Sequence, residues 1–252
     1  MKKLDKLILA IDSDNFNDIQ NLINELCPPI KIVKIGPISF LNNYQKIIEF
    51  INAKNISIMF DFKFFDIPNT MSSSINFMFS NNVKIFTIHA LSGEKAISEV
   101  KKNLVSKEQE LEQKSPKMFA VTVLTSFDQN DLDSLNFKGD ISDNVLNLAE
   151  KSIKSGVDGL VCSGDEINLI RKNFGDDVEI LVPGVRFNTQ LNDQSRVISP
   201  REAIDLGANY IVLGRTITDS PNICLLYTSP SPRDQRGSGV AASACKKKGG
   251  GG

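Results

Sequence analysis

The stretch ISIMFDFKFFDIPNT, residues 56–70, decides how the chain is read. An apolar run leads into Asp61 and Lys63, then Asp66, and then breaks into Ile-Pro-Asn-Thr. A surface turn has no use for the phenylalanines, and a buried strand does not take up charges without a purpose. Asp61 and Lys63 are two residues apart, so on a strand they share a face. Pro68 falls where the first turn of a helix favours proline. The stretch therefore reads as a strand with charges at its carboxyl end, followed at once by a helix.

The same unit recurs along the chain. Apolar, β-rich runs at 7–12, 30–36, 56–63, 83–90, 117–125, 158–163, 178–184 and 208–214 read as strands. Helical stretches at 15–26, 38–53, 69–80, 93–111, 142–155, 165–173 and 200–206 alternate with them, and a short helical insert covers 128–135. The strands are nearly continuous in apolar residues, the pattern of a parallel sheet covered on both faces. Eight β/α units in sequence predict an α/β fold, a TIM (β/α)8 barrel. A doubly wound open sheet is the alternative, but it carries a glycine-rich turn after its first strand. Here that turn is DSDNFND, residues 12–18, without a glycine.

A barrel places functional side chains at the carboxyl ends of its strands. Polar residues stand there repeatedly: Asp12, Lys34, Asp61 with Lys63, His89, Thr125, Ser163, Arg186, and Gly214 with Arg215. Lys34, Asp61, Lys63 and Asp12 predict an array of alternating charge at one mouth of the barrel, where opposite signs keep each other ionised. A salt-bridge network closing the barrel end is the structural alternative. Asp66 also reads as part of a helix start. In such an array a carboxylate can repel a substrate anion, and an ammonium can deliver a proton to a developing carbanion. LVPGVRF supplies Pro183, Gly184 and Arg186, and YIVLGRTIT supplies Gly214 and Arg215. Loops after strands 7 and 8 commonly hold phosphate in barrels. Gln194, between these arms, either reaches the ligand or is a solvated loop residue. His89 reads as a hydrogen-bonded supporting residue rather than a catalyst.

Bulk properties narrow the classes. The chain has 252 residues, a formal net charge of -1, 41% hydrophobic and 23% charged residues. That balance suits a globular domain and argues against a nucleic-acid or acidic-membrane surface. No apolar run is long enough to span a bilayer. MKKLDKLILAID is too short in its apolar part, and too soon cut by Asp12, for a signal peptide, so a cytoplasmic protein is expected. Cys27, Cys162, Cys224 and Cys245 form no C-x-x-C pair and His89 is the single histidine, which argues against a Cys/His zinc site. Cys27 and Cys162 read as small core residues.

Composition changes after Asn222 into a Pro-, Ser- and Gly-rich stretch ending in a lysine run and a glycine run. A natural disordered tail is one reading. The preferred reading is that CLLYTSPSPRD resembles a translated sequencing-library adapter and that the runs resemble translated homopolymers. The expected division is a barrel domain at 1–222 and an artefactual or disordered tail at 223–252.

LAID, VKIG, DFKFFDIPNT, TIHA, VTVLTS, DGLVCS, VPGVR and ANYIVLGRTIT occur in that order, from the first strand through the eighth. Together they resemble orotidine 5′-phosphate decarboxylase of the bacterial type. The resemblance implies loss of CO2 from orotidine 5′-phosphate to give uridine 5′-phosphate in pyrimidine biosynthesis, with no metal and no organic cofactor. It implies that Lys63 protonates C6, that Asp61 faces the substrate carboxylate, that Lys34 completes the array and that Asp12 binds ribose. Asp66 and Thr70 would reach into the site of a second subunit in a homodimer. Thr125 would contact the pyrimidine. Gln194, Gly214 and Arg215 would grip the phosphate, with Arg186 close by and Pro183 in the same cradle. A loop over about 186–194 would close over the ligand. The family also has a final helix packed on strands 8 and 1 that this sequence lacks, so the 252-residue chain is expected to be poorly stable or to aggregate. Two other readings stand beside this one. They are a metal-dependent sugar-phosphate aldolase or decarboxylase of the same superfamily, and a non-catalytic phosphate-ligand sensor.

Overall fold

The structure, a computed structural model, describes residues 3–26, 29–185 and 198–214. Eight strands, β1 (Leu7–Ala10), β2 (Ile32–Ile35), β3 (Ser57–Phe64), β4 (Val83–His89), β5 (Lys117–Val121), β6 (Gly159–Val161), β7 (Glu179–Val182) and β8 (Tyr210–Leu213), pair in sequence order. All pairs are parallel, and β1 pairs with β8 to close the barrel. Helices α1 (Phe16–Glu25), α2 (Pro37–Ala53), α3 (Pro68–Ser80) and α4 (Gly93–Leu111) follow the first four strands. A short α5 (Gln129–Ser134) and then α6 (Ile141–Lys154) follow β5, α7 (Ile167–Phe174) follows β6, and α8 (Pro200–Asp205) lies between β7 and β8. The fold is the TIM barrel read from the sequence. Among the described residues no helix is long and apolar enough to cross a membrane.

Local chemistry sets the helix starts. Pro37, Pro68 and Pro200 occupy first-turn positions, where a missing N–H costs nothing. Asp128 and Asp140 each cap the backbone N–H three residues on, and Asp131 and Asp143 reach back in return. The strands are shorter than the apolar runs. β5 ends at Val121 and not at Thr125: its last ladder partners are His89 on β4 and Val161 on β6, and both of those strands stop there. Beyond it Thr122 turns its hydroxyl to the Val161 carbonyl, and Thr125 sits in an exposed turn.

The core has two layers. Ile8, Ala10, Ile32, Met59, Ile85, Phe119, Val121, Val161, Leu181, Tyr210 and Val212 fill the barrel interior. The alternate residues of each strand pack outward against the helices. Packing inside is tight: a Cβ on Gly159 would lie 2.3 Å from the Phe119 ring, so this interior position takes only glycine. Below the apolar layer, Lys117 and Glu179 pair beside the Tyr210 hydroxyl and close the amino-terminal end. Above it, the same inward periodicity continues into Asp12, Lys34, Asp61, Lys63 and Thr87. The interior face thus carries the charged residues to the carboxyl-terminal mouth.

Phe60, Phe62 and Phe64 of the opening stretch have their place on the outer face. Phe60 stacks on Phe62 with centroids 4.1 Å apart, and Phe62 on Phe64 at 6.0 Å. Phe40 of α2 meets Phe60 and Phe62 edge-on, each at 5.1 Å, and Phe77 of α3 packs on Phe60 at 5.5 Å. This aromatic row clamps β3 between two helices while its other face carries the charges.

Candidate active site

β3 is irregular where it carries the charges. Phe60 pairs with Phe86, but Phe64 pairs with Ile88, so four steps along β3 match two along β4. The excess residues form a bulge around Asp61, Phe62 and Lys63. Lys63 takes up the bend with φ +45°, a left-handed backbone that costs a side-chain-bearing residue about 1–2 kcal/mol. Strain of this kind persists where the surroundings over-determine it. Here the Lys63 N–H, diverted from the ladder, donates to Thr87 Oγ1 at 2.9 Å.

The charges form a row across β3, β2 and β1. Lys63 Nζ donates to Asp61 Oδ1 at 2.9 Å, and Lys34 Nζ lies 3.5 Å from Asp61 Oδ2. Lys34 Nζ also donates to Asp12 Oδ1 at 3.1 Å. Thr87 Oγ1 donates to Asp61 Oδ1 at 2.9 Å. Exposure falls and rises along the row: the Asp61 and Lys34 side chains are 13% and 14% exposed, Lys63 is 39% and Asp12 is 49%. The inner pair is held in the protein, while Lys63 and Asp12 are open to solvent at the mouth. Burial pushes the Asp61 carboxyl up. The Lys63 and Lys34 ammonium groups, with hydrogen bonds from Lys63 and Thr87, outweigh it and hold the carboxyl below its ordinary value. Asp61 is therefore an ionised, largely buried carboxylate at neutral pH.

The other residues fall into place unevenly. Asp66 is exposed and turns back to accept the Ile67 N–H at 2.6 Å, so within one chain it stays outside the row. Thr70 is exposed on the first turn of α3, on the same segment as Asp66. Pro183 and Gly184 follow β7, and Gly184 has φ +71°, a turn that a side chain would strain. Gly214 follows β8 and lines one cleft with Asp12. Arg186, Gln194 and Arg215 lie outside the described residues, as do the loop over 186–194, Cys27 and the tail at 223–252. His89 ends β4 and its Nδ1 accepts the Leu91 N–H at 3.3 Å. Burial first, and the Lys63 ammonium second, push its imidazole below the ordinary value, so it is neutral near pH 7. Cys162 is a buried free thiol whose titration burial pushes well up, which suits a core residue. Among the described residues no three His, Cys, Asp or Glu side chains are placed to share a metal ion.

A model of the orotidine 5′-phosphate decarboxylase / HUMPS family matches residues 5–223. The chain belongs to that family. Orotidine 5′-phosphate decarboxylase of Prochlorococcus marinus (strain AS9601) is 39% identical over 226 residues, which cover 88% of this chain and 93% of that protein. The enzyme of the same name from Wigglesworthia glossinidia brevipalpis is 36% identical, covering 89% and 95%. The crystal structure of orotidine 5′-phosphate decarboxylase from Lactobacillus acidophilus superposes with a TM-score of 0.76 at 29% identity, covering 88% and 95%.

One residue bonded to the row, Thr87, is not among those the sequence singled out. Thr87 lies two before His89 on the inward face of β4, and the same alternation that aligned Asp61 with Lys63 would have found it.

Proposed function

We propose that the chain decarboxylates orotidine 5′-phosphate to uridine 5′-phosphate and CO2. The row Lys63–Asp61–Lys34–Asp12 at the carboxyl-terminal mouth carries this reading. The C6–carboxylate bond breaks, its electron pair stays on C6, and the Lys63 ammonium delivers the proton there. Asp61, kept ionised by its two lysines, faces the substrate carboxylate. Two such charges about 4 Å apart repel by about 4 kcal/mol at an effective dielectric of 20, and departure of neutral CO2 relieves it. Lys34 holds Asp61 and Asp12, and Asp12 binds the ribose. Thr125 contacts the pyrimidine, and Pro183, Arg186, Gln194, Gly214 and Arg215 make the phosphate cradle. Binding energy from the phosphate then serves the distant reacting carbon.

Loss of the orotidine 5′-phosphate ultraviolet absorbance, followed with EDTA present, tests the assignment. Turnover indifferent to EDTA is expected. Turnover abolished by EDTA would replace this reading with the metal-dependent sugar-phosphate chemistry, and nucleotide binding without turnover would replace it with a sensor.

The working unit we propose is a homodimer. Ile38, Leu41 and Tyr44 on α2, Phe65 and Ile67 after β3, and Leu91 after β4 are large apolar residues left exposed. They belong to three successive β/α connections at the mouth, and Asp66 and Thr70 stand among them. A second copy covering this face would receive Asp66 and Thr70 at its own site. Leu41→Glu, at a position 76% exposed, is expected to give a monomer in sedimentation equilibrium and to lose most turnover. A fully active variant that remains a dimer would rule this face out.

The barrel domain we infer spans 1–222. Support comes from the composition change after Asn222 and from a family match that stops at 223. The cytoplasm is the compartment we propose, in keeping with Cys162 as a free thiol.

A further inference from the structure

We propose that Thr87 is a positioning residue of this site, whose hydroxyl locks the Asp61 carboxylate and the left-handed backbone of Lys63 into one geometry. The inference rests on the reading of Lys63 as proton donor. Thr87 is fully buried on β4. A threonine hydroxyl has one proton to give and lone pairs to accept with. Here the proton goes to Asp61 Oδ1 at 2.9 Å, and a lone pair takes the Lys63 N–H at 2.9 Å. Both partners lie in the β3 bulge, where the register with β4 slips by two residues and the Lys63 N–H has left the ladder.

The consequence is geometric and electrostatic. Asp61 Oδ1 receives Thr87 Oγ1 and Lys63 Nζ together, so the hydroxyl fixes the carboxylate and the carboxylate aims the ammonium. The charged groups around Asp61 are Lys63 on its own strand and Lys34 on β2, which is shared with Asp12 beyond β1. His89, on the same strand as Thr87, is neutral near pH 7. Thr87 supplies the one uncharged side-chain hydrogen bond on Asp61 among the described residues, and the one that ties the carboxylate to the Lys63 backbone. It touches no reacting atom and works through these two residues.

Three variants test it. Thr87→Val keeps the branched shape without the hydroxyl, Thr87→Ala removes the hydroxyl without placing a methyl against the carboxylate, and Thr87→Ser retains the hydroxyl. Two readouts are taken on each: titration of the Asp61 carboxyl by carbon-detected NMR in free protein, and steady-state turnover of orotidine 5′-phosphate. Loss of a hydrogen bond to a charged group predicts a fall in kcat of about 10- to 100-fold in the valine and alanine variants, with KM much less affected. The Asp61 titration should move up in both. The serine variant should restore both readouts. An unshifted Asp61 titration in either folded hydroxyl-less variant would overturn the proposal, and so would a serine variant as impaired as valine. The NMR arm needs no substrate, so it judges Thr87 even if wild-type turnover refutes the decarboxylase reading.

Discussion

Replacing Lys63 by alanine is expected to lower kcat for orotidine 5′-phosphate by roughly 10⁴-fold. The figure is the upper range for a positioned proton donor, and it applies because among the described residues no second ammonium stands at the open end of the row. Lys34 cannot substitute, since it sits between Asp61 and Asp12 and is 14% exposed. The protein should nonetheless fold, because Lys63 is the more exposed of the two lysines and its backbone is strained. Lys63→Gly separates function from stability further. Glycine accepts φ +45° freely, so this variant should be as inactive as alanine yet more stable than it by about 1 kcal/mol. Pre-steady-state turnover and thermal melting of the pair measure both effects. Near-wild-type turnover by Lys63→Ala would remove Lys63 from the chemistry.

Asp61→Ala is expected to fail on both counts. Removing the central carboxylate leaves Lys34 and Lys63 facing each other with Asp12 alone to compensate. Stripping one partner from a largely buried ion pair costs about 3 kcal/mol, enough for a several-degree drop in Tm. Turnover should fall by about 10³-fold, the rate equivalent of losing roughly 4 kcal/mol of repulsion against the substrate carboxylate. The pH dependence has a definite sign. The Asp61 carboxyl is held below its ordinary value of 3.8, so in that acid window the unfolded chain binds the proton that the folded chain refuses. Its stabilisation is complete above the ordinary value and disappears as pH falls through the lower, folded value. The gap in Tm between wild type and Asp61→Ala should therefore be constant near neutrality and narrow in acid. A gap that widens in acid would contradict the charge assignment.

Much of the site was legible because a barrel strand alternates with a period of two. Met59 inside the barrel fixes Asp61 and Lys63 as the next inward positions, Ile32 does the same for Lys34, and Ala10 for Asp12. The strand ending at Thr125 was read too long because an apolar run does not record where a ladder stops. β5 stops where its neighbours β4 and β6 stop, a property of other segments altogether. Asp66 and Thr70 gain no place in the row within one chain, since their proposed target lies on a second copy.

The sequence by itself determined eight strands with helices between them, their order, the apolar layers on either side of each strand and the four residues of the charged row. These follow from local periodicity and from the residue types that periodicity admits. Only the tertiary structure decided the bulge in β3, the left-handed backbone of Lys63 and the double hydrogen bond of Thr87. Those depend on the register between β3 and β4. A slip of two residues between them leaves every side chain on its own face, so the period-two pattern of either strand does not record it.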